Sequence, residues 1–449
     1  MLRQIRFFSD LLSARAGGAM VLAGVLALAP RTSGADVAPA VPNIPSRMFT
    51  LSDYGAIGDG RTPATEAFHH AVAAVDHGGG GTLVVPAGVY FTGPFDLCSR
   101  LNLKLEAGAT ILFSPEAEDY RAGGRFRPLL QGSHLHDVEI SGAGTIDGHG
   151  DAWWPAAVRF KADADAKHLR SNTSPRPRML VFDRCQRVRV QGITLTRSPS
   201  FNLVPVASED VTIAGVTILN PPDSPNTDGI DPSVCRRVLI TGCRIDTGDD
   251  CIAVKAGGKG GDASGGMEDL LVTDCVFLHG HGCSIGSETS AGLRNMTVRH
   301  CTFDGTDTGV RLKSDRLRGG LVDGVTYEDL VMNHVGSAVT ISSYYLGTTT
   351  DAAVLKDGPQ PVTATTPRWR NITIRNIRAS GCVESAGFIL GLPEMPAEHI
   401  VLENVRIEAP KGLKISNARD VAMRDVRIQT ASGPDVITGD GVTELHRTR

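Results

Sequence analysis

The sequence predicts an all-β chain: a single-domain parallel β-helix, or β-solenoid, with an N-terminal capping helix. Three observations support this. A short strand pattern recurs along the chain, 51 glycines accompany only 5% aromatic residues, and helical rhythm is confined to the first part of the sequence. Length alone, 449 residues, would suggest two or three domains, but a repeat overrides that estimate.

The repeat comes first. From residue 138 onward the chain reads "VEISGAGTI", "VRVQGITL", "VTIAGVTI", "VLITGCRI", "LLVTDCVF", "MTVRHCTF", "VTYEDLVM", "ITIRNIRA", "IVLENVRI" and "VAMRDVRI". Each unit alternates apolar and polar residues with period two, which makes it a strand with one face inward. A unit this small cannot bury its own apolar face, so neighbours must stack. Hairpin turn signals between units are lacking, and the stack therefore advances in one direction as parallel coils. The sixth position of the units, Ile193, Val216, Cys243, Cys275, Cys301, Leu330, Ile377, Val405 and Val426, forms an interior column. Cysteines in such a column behave as small buried apolar residues, so Cys243, Cys275 and Cys301 are expected as free thiols. Cys98, Cys185, Cys235 and Cys382 lie outside it, and the sequence assigns them no pairing.

The ends and insertions differ. Arg3 and Arg6 precede the apolar run "GAMVLAGVLALAP" and small residues, the pattern of a cleaved export signal over 1–35. Removing its four Arg and one Asp takes the formal charge from -4 to -7. Residues 36–47 read as a linker and 48–449 as the β-helix. In "TPATEAFHHAVAAVDH" (62–77), Thr62 is a candidate N-cap and Pro63 the first helical residue, with "GGGG" as the stop. That helix would close the open end of the solenoid. Two stretches, 147–180 and 346–370, read as long loops, with Trp153 and Trp154 either in a core or on a sugar-stacking platform.

Charge excludes some partners. The acidic balance argues against nucleic acid or an anionic membrane surface, and no membrane-length apolar run follows the signal. A secreted or periplasmic monomer is expected, and a polyanionic substrate would need a local basic cleft.

The segments after the first strands carry the chemistry. Stacked on Ile230, Cys251, Cys283 and Val310, "NTDGIDPS", "TGDDCIAV", "HGHGCSIG" and "TDTGVRLK" place Asp228, Asp249 and His281 in one column, with Asp250 next along. Equivalent residues in neighbouring coils are about 4.8 Å apart. Arg311 and Lys313 should face one side of their strand. Turn chemistry accounts for any single Asp-Gly pair but not for a cluster. Crowded carboxylates raise at least one proton affinity, which suits general acid work. A calcium site is the rival reading of clustered oxygens, and the adjacent cations argue against it.

These motifs, "NTDGID", "GDD", "GHG" and "RLK" in this order, strongly resemble glycoside hydrolase family 28, the polygalacturonases, from about residue 48 onward. Only Leu312 departs from the pattern, which usually has Ile. The resemblance implies a right-handed parallel β-helix that hydrolyses α-1,4-galacturonosidic bonds in polygalacturonate with inversion and without a cofactor. It implies Asp249 as general acid, Asp228 and Asp250 activating water, His281 tuning Asp249, and Arg311 and Lys313 binding substrate carboxylate. Asn226 and Tyr344 or Tyr345 are further candidates for the substrate site. Carboxylates one coil apart would, by the separation rule, favour retention; the resemblance is preferred here, with one water shared by two acids. The alternatives are a calcium-dependent pectate lyase-like elimination and a non-catalytic carbohydrate-binding β-helix.

Overall fold

The computed structural model describes residues 37–166, 174–257, 265–345 and 357–448; the expected export signal and part of the 346–370 stretch lie outside them. Every coil contributes strands to up to three parallel faces. One turn of the helix runs from Arg236–Thr241 on the first face to Arg244–Asp246 on the second and Ile252–Val254 on the third. Strands of these faces pair in parallel with their equivalents one coil on, as Val238 does with Leu270 and Ile245 with Phe277. Towards the C-terminus the first two faces fuse into bent strands such as Leu321–Asn333 and Arg368–Ser380.

The corner between the first two faces explains the fifth position of the repeat. Gly142, Gly192, Gly215, Gly242, Asp274, His300, Asp329, Asn376, Asn404 and Asp425 all have positive φ. Glycine meets no Cβ penalty there, and Asn and Asp tolerate it best among the rest. The sixth residue then points inward. Ile193, Cys243, Cys275, Cys301 and Leu330 are all buried, while Val426, near the open C-terminal end, is only partly so. All nine cysteines are buried free thiols.

Four expectations change. The array begins before residue 138, since Met48–Thr50 already pairs in parallel with Gly81–Val85. These early coils turn through "PAG" and "EAG", longer corners than the eight-residue template allows. Helix α1 spans Thr65–His77 rather than starting at Pro63. Thr62 caps nothing because its amide and hydroxyl both donate to Asp59, at 2.8 Å each, and the Ala64 amide donates to Phe91 O at 2.8 Å. As expected, α1 closes one end, with Phe68 stacked 4.4 Å from Phe95. The 147–180 stretch contains a helix, α2 (Trp154–Ala166), favoured by its alanines and by Pro155 in the first turn. Trp153 is core, edge-on to Tyr120 and Phe126 at 5.7 and 5.5 Å, and the Trp154 indole donates to Ser198 O. Finally, residues 37–47 run against the coils: Ala40 N donates to Asp210 and Asn43 N to Asp137. Among the described residues no helix is long and apolar enough to cross a membrane.

Candidate active site

The acids gather at the corner where coils pass from the second face to the third. Backbone shape brings them there. Asn226 turns the chain with φ 50°, and a Cβ on Gly229 would lie 2.4 Å from the Cys251 carbonyl oxygen, so only glycine lets these two coils meet. Gly282 (φ 78°) is equally constrained, since a Cβ there would lie 2.1 Å from Thr308 O.

The register differs from the sequence alignment by one residue. Ile230 pairs with Ile252, not Cys251, and Ile252 pairs with Cys283. Asp228 is therefore level with Asp250, and Asp249 is displaced from the column. The hydrogen bonds follow this register, with Gly229 N donating to Asp250 O (2.9 Å) and Ile230 N to Cys251 O (3.1 Å). The displacement still leaves one carboxylate oxygen of each of Asp228, Asp249 and Asp250 within 4.8 Å of the others.

The three carboxylates have different surroundings. Asp250 is buried, and its oxygens accept from Ser284 Oγ (2.6 Å), Arg311 (2.7 Å) and Lys313 Nζ (2.6 Å). Burial alone would raise its proton affinity, but Lys313 and Arg311 hold it well below the usual carboxylate range. Arg311 and Lys313 thus do face one side of their strand, Thr308–Lys313. Asp228 is buried too, yet its Oδ1 has no hydrogen-bond partner in the protein, and its nearest cation, Lys255 Nζ, is 3.7 Å from Oδ2. Burial, then the neighbouring Asp249 and Asp231, push it well above the ordinary value. Asp249 sits nearer solvent, accepting from Asp250 N (2.8 Å) and, at 3.4 Å, from Asn226 Nδ2. His281 Nε2 is 3.8 Å from Asp249, while its Nδ1 is 2.5 Å from Asp307, whose carboxyl is held below its usual range chiefly by that bond.

Of the two tyrosines, Tyr345 reaches this group: its ring lies 5.1 Å from Lys313 Nζ. Tyr344 packs with Leu390 and Leu392, and its hydroxyl donates to Asp357.

Sequence reasoning passed over several contributors. Ser284 and Asp307 stood inside the aligned segments, and Lys255 one residue beyond "TGDDCIAV". Arg176, nearly buried, donates to Pro199 O (2.5 Å), to Pro225 O and to Asn226 Oδ1, bracing the corner that carries Asp228. It comes from the insertion, whose residues have no place in the repeat. The three acids are close enough to hold a cation, but Lys313 and Arg311 already occupy Asp250, and Lys255 lies 3.7 Å from Asp228. Carboxylates that differ this much in proton affinity, gathered at one corner, suit acid and base work.

A family model described as glycosyl hydrolases family 28 matches residues 78–432. The chain is 32% identical over 389 residues to a probable polygalacturonase of Vitis vinifera, covering 82% of this chain and 75% of that protein. It is 29% identical to an endo-polygalacturonase of Pectobacterium parmentieri, covering 84% and 90% respectively. Among solved structures, a hyperthermoactive exopolygalacturonase from Thermotoga maritima superposes with a TM-score of 0.69 at 28% identity, covering 86% of this chain and 94% of that one.

Proposed function

The chain belongs to glycoside hydrolase family 28 and is a polygalacturonate-hydrolysing enzyme, and on that premise we propose how its residues divide the reaction. Asp249 donates its proton to the glycosidic oxygen as the C1–O bond breaks. Water held between Asp228 and Asp250 attacks C1 and passes its proton to Asp228, leaving an inverted product. His281 orients Asp249 and returns its proton. Arg311 and Lys313, with Asn226 and Tyr345, hold the substrate carboxylate. The enzyme acts as an exported monomer on de-esterified chains.

The observation that carries this reading is the contrast between the two buried acids. Asp250 has its oxygens occupied by three donors, and Asp228, buried with a raised proton affinity, is suited to accept a proton rather than to attack carbon. A shared water fits both. The separation rule concerns a pair flanking the scissile bond, whereas all three acids here lie on one wall.

Asp249→Asn is expected to lower release of reducing ends at least about 100-fold with an unchanged circular dichroism spectrum; substantial activity would refute the acid assignment. Proton NMR of the first-formed anomer tests inversion directly. An unsaturated, ultraviolet-absorbing product lost on chelation would instead indicate elimination.

A further inference from the structure

Lys255 is the least expected group at the site. It follows the strand Ile252–Val254, and its backbone is pinned by Lys255 N to Pro232 O (2.9 Å) and Val234 N to Lys255 O (3.0 Å). The side chain passes over the Phe201 ring, 4.9 Å from its centroid, and ends 2.9 Å from Asp231 and 3.7 Å from Asp228. Among the described residues no other ion pair reaches either carboxylate. Asp228 and Asp231 are three residues apart on one corner, so a single ammonium is divided between two buried acids.

We propose that Lys255 is a positioning residue that sets the proton affinity of Asp228, and that Asp231 governs how much of its charge Asp228 receives. This rests on Asp228 being the group that accepts the proton of water. A cation 3.7 Å away favours the carboxylate, while Asp231, closer to that cation, draws it off. Asp231 is itself pushed up to about 6 by burial, against the pull of Lys255, and Lys255 is kept charged by the two acids despite burial. The other charges facing the group are Asp249 and Asp250 from the next corner, Glu288, and Arg176 and Arg178 from the end of the insertion. None of these changes in the variants below.

The two partners of the pair should therefore act in opposite directions. In kcat/KM against pH on de-esterified oligogalacturonate, Lys255→Met is expected to move the acidic limb up by about one pH unit. Asp231→Asn should move it down, and Lys255→Arg should leave it near the parent. A merely structural pair would lower activity in both variants without opposite shifts. Asp228→Asn is measured alongside: retained activity there would overturn the base assignment itself. Inactivity there, with both limbs moving together or not at all, would overturn only the role of Lys255. Should Lys255→Met fail to fold, Asp231→Asn decides alone, since it removes a buried like charge; an unmoved or raised limb would refute the proposal.

Discussion

Asp228 and Asp250 sit level on adjacent coils, both buried, yet their proton affinities move in opposite directions. Burial pushes both up. The outcome is decided by what the next strand presents: Asp250 faces Ser284, Arg311 and Lys313, all within 2.7 Å, whereas Asp228 faces like charges and half a lysine. The lesson is that in a coiled scaffold the chemistry of a residue is set by its neighbours one and two coils away. Sequence neighbours matter less.

The contrast can be broken most forcefully on the Asp250 side. Asp250→Asn leaves Lys313 and Arg311 facing a neutral amide, which should cost about 3 kcal/mol of stability at neutral pH, along with most activity. Urea unfolding would check it, and an unchanged midpoint would mean that the two cations find other partners.

Next in size, Lys313→Ala should raise KM on oligogalacturonate about tenfold while also lowering kcat, because the same ammonium touches Asp250. A change in kcat alone would assign Lys313 to Asp250 and not to substrate.

The smallest effect tests the other side and has the opposite sign. An acid whose folded-state proton affinity is raised loses stability as pH rises from its unfolded value through its folded one. Asp228→Asn removes that charge, so it should raise the melting temperature at pH 7 by about 2 °C and leave it unchanged near pH 3. For Asp250, whose folded value is depressed, stability is present above the unfolded value and lost as pH falls below it. Melting curves of both variants across pH 3–7 would expose the crossing, and parallel curves would contradict it.

Much of this was legible beforehand. The interior column was visible as the sixth position of the repeat, because one residue per coil must fill that place. The four ordered motifs pointed to the right corner. What escaped was any feature depending on contact rather than period: the start of α1, undone by Asp59 holding Thr62, and the core role of Trp153.

By itself, then, the sequence determined the parallel coils, the family and the acids that share a wall, since those follow from alternation and repeated spacing. Only the tertiary structure decided which acid is level with which, through the pairing of Ile230 with Ile252, and which cations reach them. A shift of one residue in a coil leaves composition and period unaltered. It does, however, put Asp250 opposite Asp228, and from that geometry comes the difference between a carboxylate held ionised and one ready to take a proton.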